Sequence, residues 1–395
     1  MKEWLIFALG LVLLGIVAVA VSSAIGNASG VTQPIAFKHS KHTKILACDF
    51  CHKTVKTSAS AGIPGKELCM TCHQSKVTDS PEPEKIKSFF GDVKIVVLDE
   101  AQKIPRIGMV LKVMLDEYPE LQIIATGSSS FELADKVSEP LTGRNFTFTL
   151  YPLALSEISR GQGISAIESK MENILRFGSY PEVFSLPEEA ARERLDEIAS
   201  DYLYKDVLIF EGMKKSEVIR NLLQLLALQL GQEVSFQELA QQLGINRLTV
   251  QKYIDILEKS FVVFRLRAFS RNKRKEISKS VKIYFHDLGL RNSVIQNYNT
   301  LDLRTDRGAL WENFCIVERR KMNERKRRQA NTYFWRTYTQ KEVDYVEEFG
   351  GKIRGYEFKW NAEKSFFPPQ EFVKNYQATV EKVDKENYWK FLELA

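Results

Sequence analysis

The chain has 395 residues, a formal net charge of +6, 44% hydrophobic residues and 27% charged residues. These values are typical of globular protein, and they exclude a collagen-like, low-complexity or wholly disordered chain. The net charge is small for this length, so composition alone does not indicate nucleic-acid binding. The length predicts two or three domains.

The first predicted element is the apolar run from Trp4 to Ile25. About 20 apolar residues are enough for a helix to cross the hydrocarbon core of a bilayer, so the run predicts a membrane anchor within residues 1–30. A cleaved signal peptide is the alternative, because the small residues near Ala24 suit a signal peptidase. The apolar core of a signal peptide is usually shorter than this run, which favours the uncleaved anchor.

Residues 31–90 contain two C-x-x-C-H motifs, Cys48–His52 and Cys69–His73. This motif is the attachment signature of c-type haem. Its two thiols bond covalently to the porphyrin, and the adjacent histidine ligates the iron. A structural zinc site fits the same cysteine spacing, but zinc does not require a histidine after each pair. The predicted haem residues are Cys48, Cys51, His52, Cys69, Cys72 and His73, with His39 and His42 as further axial ligands.

Gln33–His42, the two haem motifs and Ser60–Pro64 together resemble membrane-associated multihaem cytochrome c subunits of quinone-linked respiratory complexes, and class III cytochromes c more broadly. The resemblance implies two haems c and electron transfer to a redox partner in a respiratory complex. It also implies His39 as distal ligand of the first haem, while His42 serves the second haem or none. Because c-type haem is attached outside the cytoplasm, the predicted location is the inner (cell) membrane, with a single span and the haem segment on the periplasmic or extracellular side.

An ATPase-like pattern begins near residue 90. Ile95–Leu98 is a continuous apolar run, typical of a buried parallel strand, and the Asp99 and Glu100 that follow it fit a Walker B pair. In such a pair the aspartate holds Mg²⁺ and the glutamate orients the attacking water. A buried strand that ends in solvated acids is the alternative. Leu121–Ala125 predicts a second buried strand.

The strings LDEAQKIP, ATGSSS, LTGR, LYPLALSEI and GSYPEVF follow one another in an order that resembles the archaeal-type AAA ATPases, which end in a winged helix and a nuclease-like domain. The resemblance runs from about residue 91 to residue 395. It implies Walker B roles for Asp99 and Glu100, a sensor-like role for Ser128 and an arginine-finger role for Arg144. The G-x-x-x-x-G-K-[ST] loop of that family is absent from the sequence. Because that loop holds the phosphates, we expect neither ATP with Mg²⁺ as a cofactor nor ATP hydrolysis.

The segment from Phe236 to Leu257 has the pattern of a helix-turn-helix, and Phe261–Arg267 is expected to form the wing of a winged helix. Arg247 and Gln251 are expected to be exposed on the second helix, where they could meet nucleic acid. A winged helix used for protein contacts is the alternative. The basic clusters at residues 271–275 and 325–328 either meet phosphates or are solvated surface.

Near the C-terminus, Lys341–Glu348 and Ile353–Trp360 predict two strands around the glycines at 350 and 351, a favoured hairpin turn. In the register that this turn sets, Asp344 lies directly opposite Glu357. Two opposed acids repel each other unless a cation joins them.

This hairpin resembles the PD-(D/E)xK nucleases. The resemblance implies that Asp344 and Glu357 are metal ligands and that Lys359, on the same face, orients a water molecule. Glu312, on a predicted helix upstream, is a candidate third acid. The alternative is that these residues form only the polar face of an amphipathic hairpin.

The predicted fold class is a multidomain chain: a transmembrane helix with a small loop-rich dihaem segment, then a truncated α/β P-loop-type core, a helical region, a winged helix and an α/β nuclease-like domain. The favoured function is a membrane-anchored cytochrome segment fused to an ATPase-family body. The alternative is an AAA ATPase-family protein that binds nucleic acid or a partner and carries a foreign or mis-joined N-terminus. The predicted boundaries are 1–30 for the anchor or signal, 31–90 for the dihaem segment with its linker, 91–160 for the AAA core, 161–228 for the helical region, 229–268 for the winged helix and 269–395 for the nuclease-like domain.

Overall fold

The computed structural model describes residues 93–104, 107–127, 143–200, 216–270 and 281–394. Residues Val97–Ala395 form one compact unit. Of the other unit, Met1–Val96, only residues 93–96 are described.

The first described elements are two short strands and a helix. Strands β1 (Ile95–Leu98) and β2 (Gln122–Ala125) form a two-stranded sheet, and helix α1 (Ile107–Glu117) lies between them in the chain. Sequence patterning predicts both strands to be fully buried, but Val97 is 61% and Ile124 is 45% exposed. The reason is that α1 packs on the face of this sheet that carries Leu98, Ile123 and Ala125, whereas Val97 and Ile124 point to the opposite face.

A helical region follows. Gly163 and Gly178, both with positive φ, follow the last residues of the first two helices, as is common for glycine at helix ends. The buried faces of most of these helices share one large hydrophobic core with the sheet described next. The helices are α2 (Leu155–Gln162), α3 (Ile164–Phe177), α4 (Pro181–Phe184), α5 (Glu188–Ile198) and α6 (Ser216–Leu228).

The helix-turn-helix consists of α7 (Phe236–Leu243) and α8 (Arg247–Lys259), in the ranges that the sequence predicts. Each helix begins at a side-chain cap: Ser235 accepts from the Glu238 N–H and Asn246 from the Thr249 N–H, which satisfies free donors of the first turn. Gly244, with φ 63°, ends α7 in the left-handed conformation. These local signals explain why the sequence locates both helices.

A seven-stranded mixed sheet dominates the rest of the molecule, in the order β3-β5-β4-β6-β7-β8-β9. Its pairs are antiparallel except β4 with β6 and β8 with β9, which are parallel. The segment expected to be the wing forms β4, a central strand, so the sheet crosses the boundary expected at residue 268. The strands are β3 (Glu233–Val234), β4 (Val263–Ala268), β5 (Val281–Phe285), β6 (Asn331–Arg336), β7 (Glu342–Phe349), β8 (Lys352–Phe358) and β9 (Thr379–Val383).

The helices that accompany this sheet are α9 (Leu288–Val294), α10 (Arg307–Arg325), α11 (Gln370–Tyr376) and α12 (Tyr388–Phe391). Helix α10 is buried along most of its length. Trp311 on this helix is fully buried and packs edge-on against Trp360 and Tyr388. The helix therefore lies in the main core, and residues next to Trp311 are held in fixed positions.

The β7–β8 hairpin has the register that the sequence predicts. Phe349 pairs with Lys352 and Tyr345 with Tyr356. Gly350 and Gly351 have φ values of 59° and 74°, and the type I′ turn of a two-residue hairpin needs positive φ at both positions. The turn chemistry therefore fixes which residues of the two strands face each other.

The predicted fold class begins with a transmembrane helix and a loop-rich dihaem segment, and it is corrected here to an α/β body. None of the helices in the described ranges is long and apolar enough to span a membrane, and Trp4–Ile25 lies outside those ranges. A spanning helix needs about 20 apolar residues, whereas α10, the longest described helix at 19 residues, carries charges along its length. The predicted single-pass location in the inner cell membrane is corrected by the same finding.

Candidate functional site

The candidate site lies where β7, β8 and α10 bring acidic and basic side chains together. Opposite β6, the register of β7 shifts between the pairs Tyr333–Val346 and Trp335–Val343. This irregularity leaves two β7 residues, Asp344 and Tyr345, opposite one residue of β6. Such a bulge re-aims side chains, and Asp344 is 8% exposed although it belongs to a strand expected to have a polar outer face.

Asp344 and Glu357 form the centre of the site. Asp344 Oδ2 accepts a hydrogen bond from the Phe358 N–H at 2.8 Å, which ties it to the strand of Glu357. Burial, and next the charge of Asp344, raises the pKa of Glu357 to about 7. Burial also raises the pKa of Asp344, against the opposing charge of Lys282. The two carboxylates therefore penalise each other's ionisation in a desolvated place.

Lys359 takes part in the same site. Its Nζ donates to Glu357 Oε1 at 2.6 Å. Burial acts to lower the pKa of Lys359, but the charge of Glu357 and then those of Asp344 and Glu312 raise it. The lysine is therefore a cation that faces the acids.

Glu312, the candidate third acid, reaches the site from α10. Its Oε1 accepts from the Tyr284 hydroxyl at 2.5 Å and from Lys282 Nζ at 3.1 Å. Burial, and next the charge of Asp344, raises the pKa of Glu312 to about 7. Lys282 also lies 2.5 Å from Glu342 Oε1. The structure thus brings together Glu312, Asp344, Glu357 and Lys359, whose association the sequence suggested.

Three further residues of the site were not predicted from the sequence: Lys282, Tyr284 and Glu342. All five residues of β5 are buried, so a lysine at position 282 in an otherwise apolar and aromatic strand needs a buried partner. A lysine among these apolar and aromatic residues could therefore have indicated a buried ion pair at Lys282. No sequence signal identified its partners, because β5 and β7 meet α10 only through the tertiary fold.

One oxygen of the central pair is available for a ligand. Glu357 Oε2 is buried and has no hydrogen-bond partner among the described residues. Buried polar atoms without partners are uncommon in native proteins. Within the described ranges, no group of three or more His, Cys, Asp or Glu side chains is placed to hold a metal ion. The arrangement is therefore a two-carboxylate pair with one free oxygen, flanked by ammonium groups.

The Walker B pair lies outside this cluster. Asp99 Oδ1 accepts from the Thr126 hydroxyl at 2.5 Å, and the Glu100 N–H donates to the same hydroxyl at 3.3 Å. Thr126, which follows β2, thus holds the aspartate, a role that the sequence analysis did not assign. Arg144, the expected arginine finger, is exposed and pairs with Asp116 at 2.7 Å. Ser128, the expected sensor, lies outside the described residues.

The segment GSYPEVF, residues 178–184, contacts Asp287. Asp287, the cap of α9, accepts from the Ser179 N–H at 2.8 Å and from the Leu290 N–H at 3.0 Å. Gly178 has φ 75°, and a Cβ there would lie 2.1 Å from Asp287 Oδ1. The close packing of Gly178 and Ser179 against Asp287 therefore fixes the helical region against the sheet domain.

Three segments of the chain match known families. The family described as AAA domain matches residues 54–159. The chain therefore carries an AAA-like domain of the ATPase family. Two families described as domains of unknown function, DUF8612 and DUF4143, match residues 168–301 and 307–388. The second of these covers Glu312, Asp344, Glu357 and Lys359.

Relatives of the AAA-like chain occur in bacteria and archaea. One is an uncharacterized protein of Mycobacterium tuberculosis, 28% identical over 268 residues, which are 67% of this chain and 58% of that protein. Another, from Methanocaldococcus jannaschii, is 26% identical over 257 residues, 60% of this chain and 55% of that protein. An uncharacterized protein of Haemophilus influenzae is 22% identical over 182 residues, which are 44% of this chain and 46% of that protein. The chain thus spans about half the length of these relatives. No solved structure matches it.

The AAA match overturns the haem prediction. It covers Cys69, Cys72 and His73, the second predicted haem motif, within one domain that continues through the Walker B pair. An AAA domain points to nucleotide binding, so both parts of the cofactor prediction, two haems c and no nucleotide, are corrected. The described residues contain no group that could hold a metal through three or more His, Cys, Asp or Glu side chains. All eight predicted haem residues lie outside the described residues: Cys48, Cys51, His52, Cys69, Cys72, His73, His39 and His42.

Proposed function

We propose that the C-terminal domain of this AAA-like protein binds the phosphate backbone of nucleic acid through a divalent cation held by Asp344 and Glu357. The observation that carries the proposal is the buried carboxylate pair with one oxygen, Glu357 Oε2, that lacks a hydrogen-bond partner among the described residues. Such a pair is destabilised when both groups are ionised, and a cation between them removes that penalty.

The residues fit a hard divalent cation. Mg²⁺ and Mn²⁺ prefer carboxylate oxygens, and Mg²⁺ is often held by only one or two carboxylates together with substrate phosphate. When bound, such a cation would neutralise the pair and attract a phosphate oxygen. Lys359 supports the same ligand, because its ammonium group, now paired with Glu357, can donate to a phosphate once the cation takes over the carboxylate.

The resemblance of the hairpin to the PD-(D/E)xK nucleases agrees with this chemistry. The pair sits on adjacent strands, Lys359 follows Glu357 by two residues, and Glu312 approaches from a helix. Because the chain spans about half the length of its relatives, the activity of the whole protein, including any coupling to the AAA-like domain, is part of the proposal.

The test measures nucleic-acid affinity with and without a divalent cation. The full chain is titrated against fluorescein-labelled single- and double-stranded oligonucleotides in buffer with either millimolar Mn²⁺ or a chelator, and anisotropy is recorded. We expect Mn²⁺ to tighten binding about tenfold, which corresponds to about 1.4 kcal/mol. Asp344→Asn should abolish the Mn²⁺ effect, whereas Asp302→Asn, an equal charge change at an exposed residue, should keep it.

A second candidate site is tested in the same experiment. Arg247 and Gln251 are exposed on α8 of the helix-turn-helix, and contacts from such a helix do not require a divalent cation. If Mn²⁺ and Asp344→Asn leave the affinity unchanged while Arg247→Ala weakens it, the proposal for the Asp344 site is overturned. Cleavage of the oligonucleotide that is lost in Lys359→Ala would support the site and extend its role to hydrolysis.

A further inference from the structure

The least expected side chain near the candidate site is Lys282. It lies on β5, the strand next to the short edge strand β3, with a side chain only 2% exposed. Lysine is almost never fully buried unless it is paired. Its Nζ is 3.1 Å from Glu312 Oε1 and 2.5 Å from Glu342 Oε1. The ammonium group thus lies between two carboxylates that come from different elements, α10 and β7.

The charges around the site show how the ammonium group of Lys282 affects cation binding. Four carboxylates gather there, and the cations within reach are Lys282, Lys359 and Arg336, the last at 3.8 Å from Glu342. With all of these groups ionised, Lys282 lowers the net negative charge that attracts a cation to the site. Without Lys282, the same carboxylates would attract further positive charge. The carboxylates are Glu312, Glu342, Asp344 and Glu357.

We propose that Lys282 is a built-in counter-cation that keeps Glu312 from ligating metal, so that the site holds a single divalent cation at Asp344 and Glu357. The inference rests on the proposed function, because it concerns the cation of that site. Glu312 Oε1 is doubly engaged, by Lys282 and by the Tyr284 hydroxyl. A cation that approaches Glu312 through this oxygen has to compete with both donors, and the ammonium group of Lys282 repels a cation that approaches through either oxygen.

Lys282 is therefore a positioning residue that sets the stoichiometry of metal binding. A substitution that removes its ammonium group releases Glu312 and Glu342 together. Glu312 can then join Asp344, whose charge already acts on it across the site. Three carboxylates in reach of one another form a better divalent-cation site than two.

The experiment counts Mn²⁺ ions bound by the full chain, by electron paramagnetic resonance of free Mn²⁺ and by isothermal titration calorimetry. The wild type is expected to bind one Mn²⁺ per chain. Lys282→Met should bind a second ion, or bind the first at least about tenfold more tightly. Lys282→Met/Glu312→Gln should return to wild-type behaviour. Lys341→Met removes the same charge from an exposed lysine whose side chain is 56% exposed, and it should match the wild type.

Two controls keep the result decisive. Lys282→Arg preserves the charge and should keep one ion. If Lys282→Met does not fold, as judged by tryptophan emission, Lys282→Met/Glu342→Gln removes one acid together with the lysine and still frees Glu312. A folded lysine variant with the stoichiometry and affinity of the wild type overturns the inference. Absence of Mn²⁺ binding by the wild type instead overturns the proposed function, and a gain of binding in Lys282→Met would still support the role of Lys282.

Discussion

The stability of the metal-free protein should fall as the pH rises through neutrality, because of the acidic pair. Burial and the charge of Asp344 raise the pKa of Glu357 from 4.5 to about 7. A carboxyl whose pKa is raised on folding contributes stability that is fully present below pH 4.5 and is lost as the pH rises through 7. At about 1.4 kcal/mol for each pH unit, Glu357 alone accounts for a loss of about 3 kcal/mol.

The measurement compares the wild type with Glu357→Gln in the presence of a chelator. Four of the five tryptophans, Trp311, Trp335, Trp360 and Trp389, lie in the domain of interest, so their emission during urea denaturation reports its unfolding. The two proteins should be about equally stable at pH 5, since glutamine resembles the protonated acid. At pH 8 the variant should be more stable by up to about 3 kcal/mol, and millimolar Mn²⁺ should remove much of that difference by stabilising the wild type.

The prediction is tested by the difference in free energy of unfolding between the wild type and Glu357→Gln. Other groups also titrate in this window, His286 and Glu312 among them, but both are present in wild type and variant. If the difference in free energy of unfolding between the two proteins stays constant within about 0.5 kcal/mol from pH 5 to pH 8, the prediction is wrong. It would mean that the carboxylates of Asp344 and Glu357 do not repel each other in a desolvated site.

Three further predictions concern the framework of the site. Glu347→Gln should destabilise the domain by about 3 kcal/mol in urea denaturation, because it removes the nearer carboxylate of the buried Arg319, at 2.7 Å, and leaves only Glu393 at 3.5 Å; an equal loss in the control Glu348→Gln would contradict this. Gly178→Ala should destabilise by about 2–4 kcal/mol, since its φ is positive and its Cβ would overlap Asp287, whereas Gly308→Ala, where nothing lies within 4 Å, should be neutral or slightly stabilising. Burial, and next the charges of Arg320 and Lys321, lower the pKa of His286 from 6.5 to about 3. Stability from the neutral imidazole is therefore present above pH 6.5 and lost towards pH 3, by about 4 kcal/mol; His286→Gln should flatten this acid limb, and an unchanged limb would show that His286 is not its source.

Features that depend on neighbouring residues could be predicted from the sequence. The glycines at 350 and 351 set the hairpin turn, and with it the register that aligns the strands of Asp344 and Glu357. The caps Ser235 and Asn246 and the glycine at 244 set the helix-turn-helix. Turns and caps act within a few residues, so their chemistry can be recognised without the fold. The second C-x-x-C-H motif misled for the same reason, because it is a short local pattern and lies inside the segment that matches an AAA domain.

The depth at which the acids are buried, and the side chains around them, depend on contacts between elements far apart in the chain. The bulge in β7 turns Asp344 inward, and β5 delivers Lys282 and Tyr284 to Glu312 from about 30 residues away in the chain. The expected wing became a central strand because β4 pairs with β5 on one side and β6 on the other. Such contacts join elements distant in sequence, and no local pattern specifies them. Glu312, Asp344, Glu357 and Lys359 can therefore be named from the sequence, but Lys282, Tyr284 and Glu342, which complete the charge balance around them, are found only in the folded sheet.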